Sequence, residues 1–424
     1  MTAAGAPAPL PHLRQVLGAA ARGAGLTLAP VRAPGVLSDA EAHRAATSWG
    51  LLEADGSGAR GTVVVLVDGL GLEQLQQRCG HAPTLRSWYA AAQSGPVGPR
   101  ATTCCPSTTA AALTTLGTSA LPGATGMVGY AVLNPRLGRN LPAGTIPHHE
   151  QNLCLITWEG QAPSPRAWQD VPTIFERLER PEGPGGPSRG SVPLAVSIGP
   201  ARFAGSGLTE AGLRGAKHLG ANAMESRPAL AAHALRQGVP LVYLYVGELD
   251  HTGHSHGWRS AQWLTQLERL DAAMAELMRR VPRGTRIILT ADHGMVDTDR
   301  SHRIDVSSDP VLARDVVAVA GEPRLTQLYV PGSDADLAAE VARRWREHLG
   351  PRALWVGTQQ EADAHLGPLG ERAQSVLGDV LVAMNDTWVV VDPRVHTEAA
   401  IAMPGVHGSL TPAEMRIPLL ITRT

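Results

Sequence analysis

Short runs of β-branched and aliphatic residues recur along the chain at Thr62–Val67, Pro240–Val246, Arg286–Thr290 and Ile417–Ile421. Runs that are apolar throughout, rather than alternating, predict strands buried on both faces, as in a parallel sheet. A different pattern follows the third run. Leu325–Val330 and Ala353–Val356 read as strands, Asp334–Leu349 as an amphipathic helix, and Val380–Ala383 with Trp388–Val391 as a hairpin. These elements predict a small α+β cap insert at 303–398, hung over the strand edge of a catalytic core made of residues 61–302 and 399–424. Residues 1–60 read as an Ala/Pro-rich lead-in with a helix or two, closing at the Gly56–Ser57–Gly58 turn. Leu116 to Trp168 is a long stretch rich in Gly, Pro and Asn, and loops of that length are usually functional or partly ordered. Pro181–Pro193 reads as an exposed linker. The fold class expected is α/β, a mostly parallel sheet flanked by helices.

Size and charge narrow the field. A chain of 424 residues can bury a substantial core. Its formal net charge of −1, with acids and bases interleaved, argues against a nucleic-acid groove or an anionic membrane surface as the main partner. Lys217 is the only lysine, which reads as compositional bias. The four cysteines, Cys79, Cys104, Cys105 and Cys154, have neither disulfide-scaffold density nor the paired CxxC spacing of structural zinc. The N-terminus lacks a basic start followed by an apolar stretch, and no apolar run approaches the roughly 20 residues of a membrane span. A cytoplasmic protein is the expectation.

Candidate chemistry sits where those strands end. Asp68 closes the first run, Asp250 comes shortly after the second with His254 four residues on, Asp292–His293 follow the third, and His407 lies in the loop Pro404–Gly408 before the fourth. In an open α/β sheet the carboxyl ends of the strands meet along one edge, where ligands collect. Thr109 opens the Ala-rich run to Leu116, and a hydroxyl at a helix N-terminus sits where free N–H groups favour an anion; Thr109 can equally be a first-turn residue behind a Ser107 or Thr108 cap. Three carboxylates, three imidazoles and one hydroxyl suit two divalent ions and a nucleophile. Neighbouring His251 and His256 leave the choice of ligand beside Asp250 open.

In this order and spacing, residues 61–424 resemble the alkaline phosphatase superfamily, especially its type I phosphodiesterase/nucleotide pyrophosphatase branch. The fold implied is alkaline-phosphatase-like. In that family a Thr-Gly pair follows the nucleophile by nine and ten residues, and counting back from Thr118–Ser119 selects Thr109. The resemblance places Asp68, Thr109, Asp292 and His293 around one metal ion and Asp250, His254 and His407 around the other, with zinc the usual ion. Three positions depart from the family pattern: Ser119 replaces the Gly of the pair, Thr125–Gly126 stands where diesterases have His-Gly, and Tyr130 occupies the place of a phosphate-binding Asn. They bear on substrate recognition, with Tyr130 as the candidate substrate-binding residue. Cys104–Cys105–Pro106–Ser107 mimics the Cys-x-Pro-Ser start of sulfatases, but Thr108 stands where they need Arg. Asp68–Gly69–Leu70–Gly71 lacks the full GxGxxG spacing of a dinucleotide loop.

Two divalent ions outweigh three ligand aspartates by one positive charge, which suits a phosphodiester monoanion. The expected activity is metal-dependent hydrolysis of phosphodiester or nucleotide pyrophosphate bonds, with Thr109 attacking phosphorus and a phosphothreonine intermediate. The rivals are a phosphomonoesterase or phosphonate hydrolase of the same superfamily, and a non-catalytic metal-binding relic. The loop 116–168 and the insert are expected to shape the leaving-group pocket, with Trp158 or Trp168 able to stack on a base.

Overall fold

A computed structural model describes residues 10–53, 55–59, 61–142, 145, 152–158, 163–180 and 192–424. The linker expected at 181–193 falls almost wholly outside them. Six strands of the central sheet come first in the chain: β1 (Thr62–Val67), β2 (Arg100–Thr102), β3 (Ala195–Gly199), β4 (Lys217–Gly220), β5 (Leu241–Val246) and β6 (Arg286–Thr290). Four more, β7 (Ala318–Glu322), β8 (Leu325–Tyr329), β9 (Ala353–Thr358) and β10 (Val380–Met384), make a second sheet, and β11 (Arg416–Arg423) returns to the first.

The central sheet runs β2-β11-β6-β1-β5-β3-β4. From β6 to β4 all neighbours are parallel, and only β11 runs against its partners. Val63 to Val67 of β1 are wholly buried, as strands covered by helices on both faces must be. At about 1.5–3 kcal/mol for each large apolar side chain taken from water, β1 alone is a major anchor of the fold. The Ala-rich helix α1 (Val16–Gly23) packs beneath it: Leu13, Val16 and Leu17 are wholly buried in the same hydrophobic cluster as the sheet. From Leu13 onward, then, the segment expected as a lead-in contributes to the main core.

The second sheet is antiparallel, in the order β7-β8-β10-β9, and helix α5 (Ala335–Leu349) packs on it. The other helices used below are α2 (Thr109–Thr118), α3 (Glu248–His256) and α4 (Ala261–Arg280). Period-two alternation splits β10 between two cores. Val380, Val382 and Met384 join Val341 and Trp345 of α5, whereas Leu381 and Ala383 join the central cluster. The hairpin expected between Val380–Ala383 and Trp388–Val391 does not form. Val389–Val391 instead pairs in parallel with Arg303–Asp305, and β10 pairs with β8 and β9. The tight link at 385–388 is used to turn the chain out of the sheet, so neighbours in sequence part company in space.

Candidate metal centre and nucleophile

Three adjacent parallel strands, β6, β1 and β5, deliver the carboxylates. Asp68 is the first residue beyond β1, and its N–H donates to Val246 O at 2.8 Å, so the ladder runs one residue past the strand. Gly69 turns the chain with φ +73°, and a Cβ there would lie 3.0 Å from Asp250 Cα. Only glycine lets the two aspartate-bearing segments approach so closely. Beyond β5, Asp250 sits in the first turn of α3, and His254 stands one turn further on the same face. Asp292 and His293 follow β6, and His407 hangs in the loop before β11.

All three imidazoles are oriented by backbone. His254 Nδ1 lies 2.8 Å from Gly405 O, His293 Nδ1 3.0 Å from Gly294 O, and His407 Nδ1 2.9 Å from Ser107 O. A carbonyl only accepts, so each Nδ1 carries a hydrogen and each Nε2 is the nitrogen turned inward, able to offer a lone pair to a cation when it is unprotonated. His293 Nε2 lies 3.5 Å from Asp68 Oδ1 and 3.3 Å from Asp292 Oδ2. His254 Nε2 is 3.3 Å from Asp250 Oδ2 and 3.3 Å from His407 Nε2. His293 and His407 stack with ring centroids 3.6 Å apart. Thr109 Oγ1 donates to His293 Nε2 at 3.2 Å. The seven side chains picked out in the sequence therefore meet at one place.

One oxygen of Asp68 and one of Asp292 are already satisfied. Tyr245 Oη donates to Asp68 Oδ2 at 2.5 Å, and the N–H groups of Gly69 and His293 donate to Asp292 Oδ1. Their opposite oxygens, Asp68 Oδ1 and Asp292 Oδ2, and also Asp250 Oδ1 are buried and meet no hydrogen-bond donor. Buried carboxylate oxygens without donors are costly, and the inward Nε2 atoms of three imidazoles beside them complete a donor set for cations. The residues present thus fit metal ions. Donor atoms of Asp250, His254 and His407 form one compact group and those of Asp68, Asp250 and His293 another, each within 4.8 Å. Asp250 stands between the two.

The titration behaviour has the same cause. Burial, then the charges of Asp292 and Asp250, holds the Asp68 carboxyl well above the usual range. Burial, then Asp250, pushes Asp292 up to about 7. Burial lowers His293 to about 4 and, with His293 beside it, His407 to about 3. Burial works the same way on His254, but Asp250 outweighs it and carries that imidazole to about 9; burial would raise Asp250, yet His254 holds it below the carboxylate range. Carboxylates this crowded cannot all ionise without cations among them.

Thr109 is the first residue of α2, behind Thr108 in extended conformation. The helix ends on Ser119, whose φ of 60° is left-handed. Serine thus keeps the backbone shape that the Thr-Gly pair implies, at the steric cost glycine avoids. Tyr130 is 46% exposed, and its N–H donates to Glu322 Oε2 at 2.8 Å. It does not line the cavity that opens beside Thr109, and neither do Trp158 and Trp168. Those two indoles pack edge to face at 6.1 Å and donate to Pro163 O and Gly126 O.

Sequence reasoning missed the residues that hold the ligands. Tyr245 was accessible, since period two on β5 puts Tyr243 and Tyr245 on one face just before Asp250. The carbonyls of Ser107, Gly294 and Gly405 leave no mark in residue type. Arg324 and Glu414 also went unread. They form a bidentate, wholly buried ion pair, with Nε to Oε1 at 3.0 Å and Nη2 to Oε2 at 2.7 Å. Glu414 further accepts from Ser409 N–H and Thr411 Oγ, which ties the His407 loop to the turn between β7 and β8.

A family model described as type I phosphodiesterase / nucleotide pyrophosphatase matches residues 62–410. The chain belongs to this family. The family's phosphoester hydrolases set the broad chemistry, and the donor set fits its metal dependence. No curated protein matches the chain. Among solved structures, phosphonoacetate hydrolase from Sinorhizobium meliloti in complex with phosphonoformate is similar with a TM-score of 0.61 at 17% identity, covering 86% of this chain and 90% of that one. Murine ectonucleotide pyrophosphatase/phosphodiesterase 5 gives 0.57 at 15%, covering 85% and 87%, and the human protein 0.56 at 14% with the same coverage. At these identities the likeness is one of fold, and it is the alkaline-phosphatase-like α/β fold with a mostly parallel sheet. No helix among the described residues is long and apolar enough to cross a membrane.

Proposed function

We propose that this family member hydrolyses phosphodiester or nucleotide pyrophosphate bonds through a phosphothreonine intermediate on Thr109, at a site holding two zinc ions. The observation that carries the proposal is the contact between Thr109 Oγ1 and His293 Nε2 at 3.2 Å, beside three buried carboxylate oxygens that lack donors. Asp68, Asp292, His293 and Thr109 would hold one ion, and Asp250, His254 and His407 the other. Bound there, the ions supply Lewis acidity, lowering the pKa of the threonine hydroxyl and offsetting the charge of the phosphoryl oxygens.

The chain's own residues do the rest. The start of α2 places Thr109 with free backbone N–H groups beside it, so an anion docking against the hydroxyl is favoured. Thr109 Oγ gives up its proton to solvent and bonds to phosphorus as the bond to the leaving oxygen breaks, and that oxygen departs with a proton taken from solvent. Water then cleaves the phosphothreonine and restores the hydroxyl. Residues 303–398 serve as a cap, with their sheet braced against the loop that carries His407.

Purified protein with zinc chloride is to be assayed on bis-p-nitrophenyl phosphate, p-nitrophenyl phosphate and p-nitrophenyl thymidine 5′-phosphate, alongside Thr109→Ala. Diester turnover that disappears in the variant, with metal content unchanged, is the expected result. Equal rates in variant and parent would reject Thr109, a preference for p-nitrophenyl phosphate would favour a monoesterase, and metal binding with no turnover a relic.

A further inference from the structure

Beside Thr109, Asp68 and Asp250 opens a cavity of about 440 Å³, within the size range of sites for small organic ligands. Its walls are mostly apolar: Leu113, Ile156, Ile198, Leu208, Leu213 and the ring of Phe203. Among the described lining residues none is Asn, Gln or Glu, and the only carboxylates are the metal-site aspartates. Apolar surface outweighs polar surface in this wall, although Thr157, Arg202, Ser206 and Thr209 also line it.

Two further polar side chains of the wall, Ser197 and Tyr243, are neighbours. Ser197 on β3 and Tyr243 on β5 are cross-strand partners, so their side chains rise from roots about 5 Å apart on one face. His218 Nε2 donates to Pro200 O at 3.1 Å, which leaves Nδ1 to accept the Ser197 hydroxyl hydrogen at 3.0 Å. The remaining lone pairs of Ser197 Oγ can only accept. Tyr243, 1% exposed, carries a buried hydroxyl that no protein group meets. Together they offer an acceptor and an unsatisfied donor, the complement of a single ligand hydroxyl.

A second cavity, of about 530 Å³, adjoins the first on the side of His254. Phe203 and Tyr245, packed edge to face at 5.6 Å, border both. Asn222 and His251 are in its wall and not in that of the first, Arg202 is shared by both, and Thr109 is not part of it. In-line attack sends the leaving oxygen away from the nucleophile, so the cavity shared with Thr109 houses the group that stays on phosphorus.

Resting on the phosphoryl transfer proposed above, we propose that the substrate is an unsymmetrical diester. Its retained group is largely apolar, carries a hydroxyl read by Ser197 and Tyr243, and fills the cavity beside Thr109. Its leaving group is a polar alcohol that departs past Asn222 and His251.

The test holds the leaving group constant and varies the retained one. With zinc-loaded enzyme, the p-nitrophenyl esters of phenylphosphonate, methylphosphonate and thymidine 5′-phosphate are compared. The phenyl compound should exceed both others at least tenfold in kcat/KM. A thymidine ester that is fastest, or phenyl and methyl esters that are equal, would overturn the proposal. If no ester turns over, the hydrolase reading fails and calorimetry decides the cavity by itself: phenylphosphonate at least fivefold tighter than methylphosphonate supports it, and equal or no binding overturns it. Leu213→Trp should erase the phenyl advantage in both measurements, with circular dichroism confirming the fold. Tyr243→Phe should remove the gain of hydroxyphenylphosphonate over phenylphosphonate; a gain that survives overturns the assigned hydroxyl contact.

Discussion

Replacing Arg324 by Met removes one half of an ion pair in which both side chains are wholly buried. Glu414 is then left with two donors, Ser409 N–H and Thr411 Oγ, and the carbonyls of Asn385 and Trp388 lose the guanidinium they share. Breaking a buried pair in this way costs about 3–5 kcal/mol, most of it from the charge left behind. The pH dependence distinguishes that cause from lost packing. In the parent, burial pushes Glu414 upward, but Arg324 more than offsets it and holds the carboxyl below its ordinary value. Such a group contributes stability above its unfolded pKa and loses it as pH falls through the folded one. In Arg324→Met the unpaired carboxyl must rise above its unfolded value instead. Protonation then favours the folded variant, and its deficit against the parent should shrink by up to about 1.4 kcal/mol per pH unit below that raised pKa. Urea unfolding of both proteins in EDTA at pH 7.5 and 5.5 measures the difference. Adding Glu414→Leu should recover at least half the loss, because an apolar pair of similar volume is tolerated where a lone charge is not. A deficit below about 1 kcal/mol, or one that is equal at both pH values, would refute the reasoning, since either means that Glu414 is not a stranded charge.

Thr109→Ala should lose more than a thousandfold in diester turnover while equilibrium dialysis still finds the parent's zinc content. Tyr245→Phe strips Asp68 of its hydroxyl donor and should weaken zinc binding about 10–100-fold, read by competition with a chromophoric chelator; an unchanged affinity would show that the contact orients nothing. Zinc retention should fall as pH drops from 7 to 5, because raised carboxyls such as Asp292, at about 7, must give up protons to bind a cation, and dialysis across that range checks it. Ser119→Gly relieves a left-handed serine whose buried hydroxyl has no partner, and should raise stability by about 1 kcal/mol in thermal unfolding. No gain there would mean that the strain is absorbed elsewhere.

The seven convergent side chains were legible because most lie soon after an apolar run, Thr109 opens a helix and His407 stands in the loop before the last run, and the chemistry of Asp, His and Thr is written in residue type. The parallel sheet was legible for the same reason: β1, β5 and β6 are too uniformly apolar to have a wet face. What escaped was pairing at a distance. Nothing near Val389 says that it lies beside Arg303 rather than folding back on β10, and nothing in residues 13–23 says that an Ala-rich helix will be covered on every side. Arg324 and Glu414 carry no sign of each other in sequence, and pair only when the fold closes over both. Ser119 in place of Gly looked like a departure in sequence, yet the backbone there keeps the left-handed turn.

The carbonyls that steer His254, His293 and His407 belong to the main chain, so no exchange of side chain can delete them. Drift in the surrounding residues can therefore reshape what the enzyme accepts while leaving the aim of its imidazoles untouched. A laboratory that wishes to retune selectivity has the same freedom, provided it alters the walls and spares the path of the backbone at Ser107, Gly294 and Gly405.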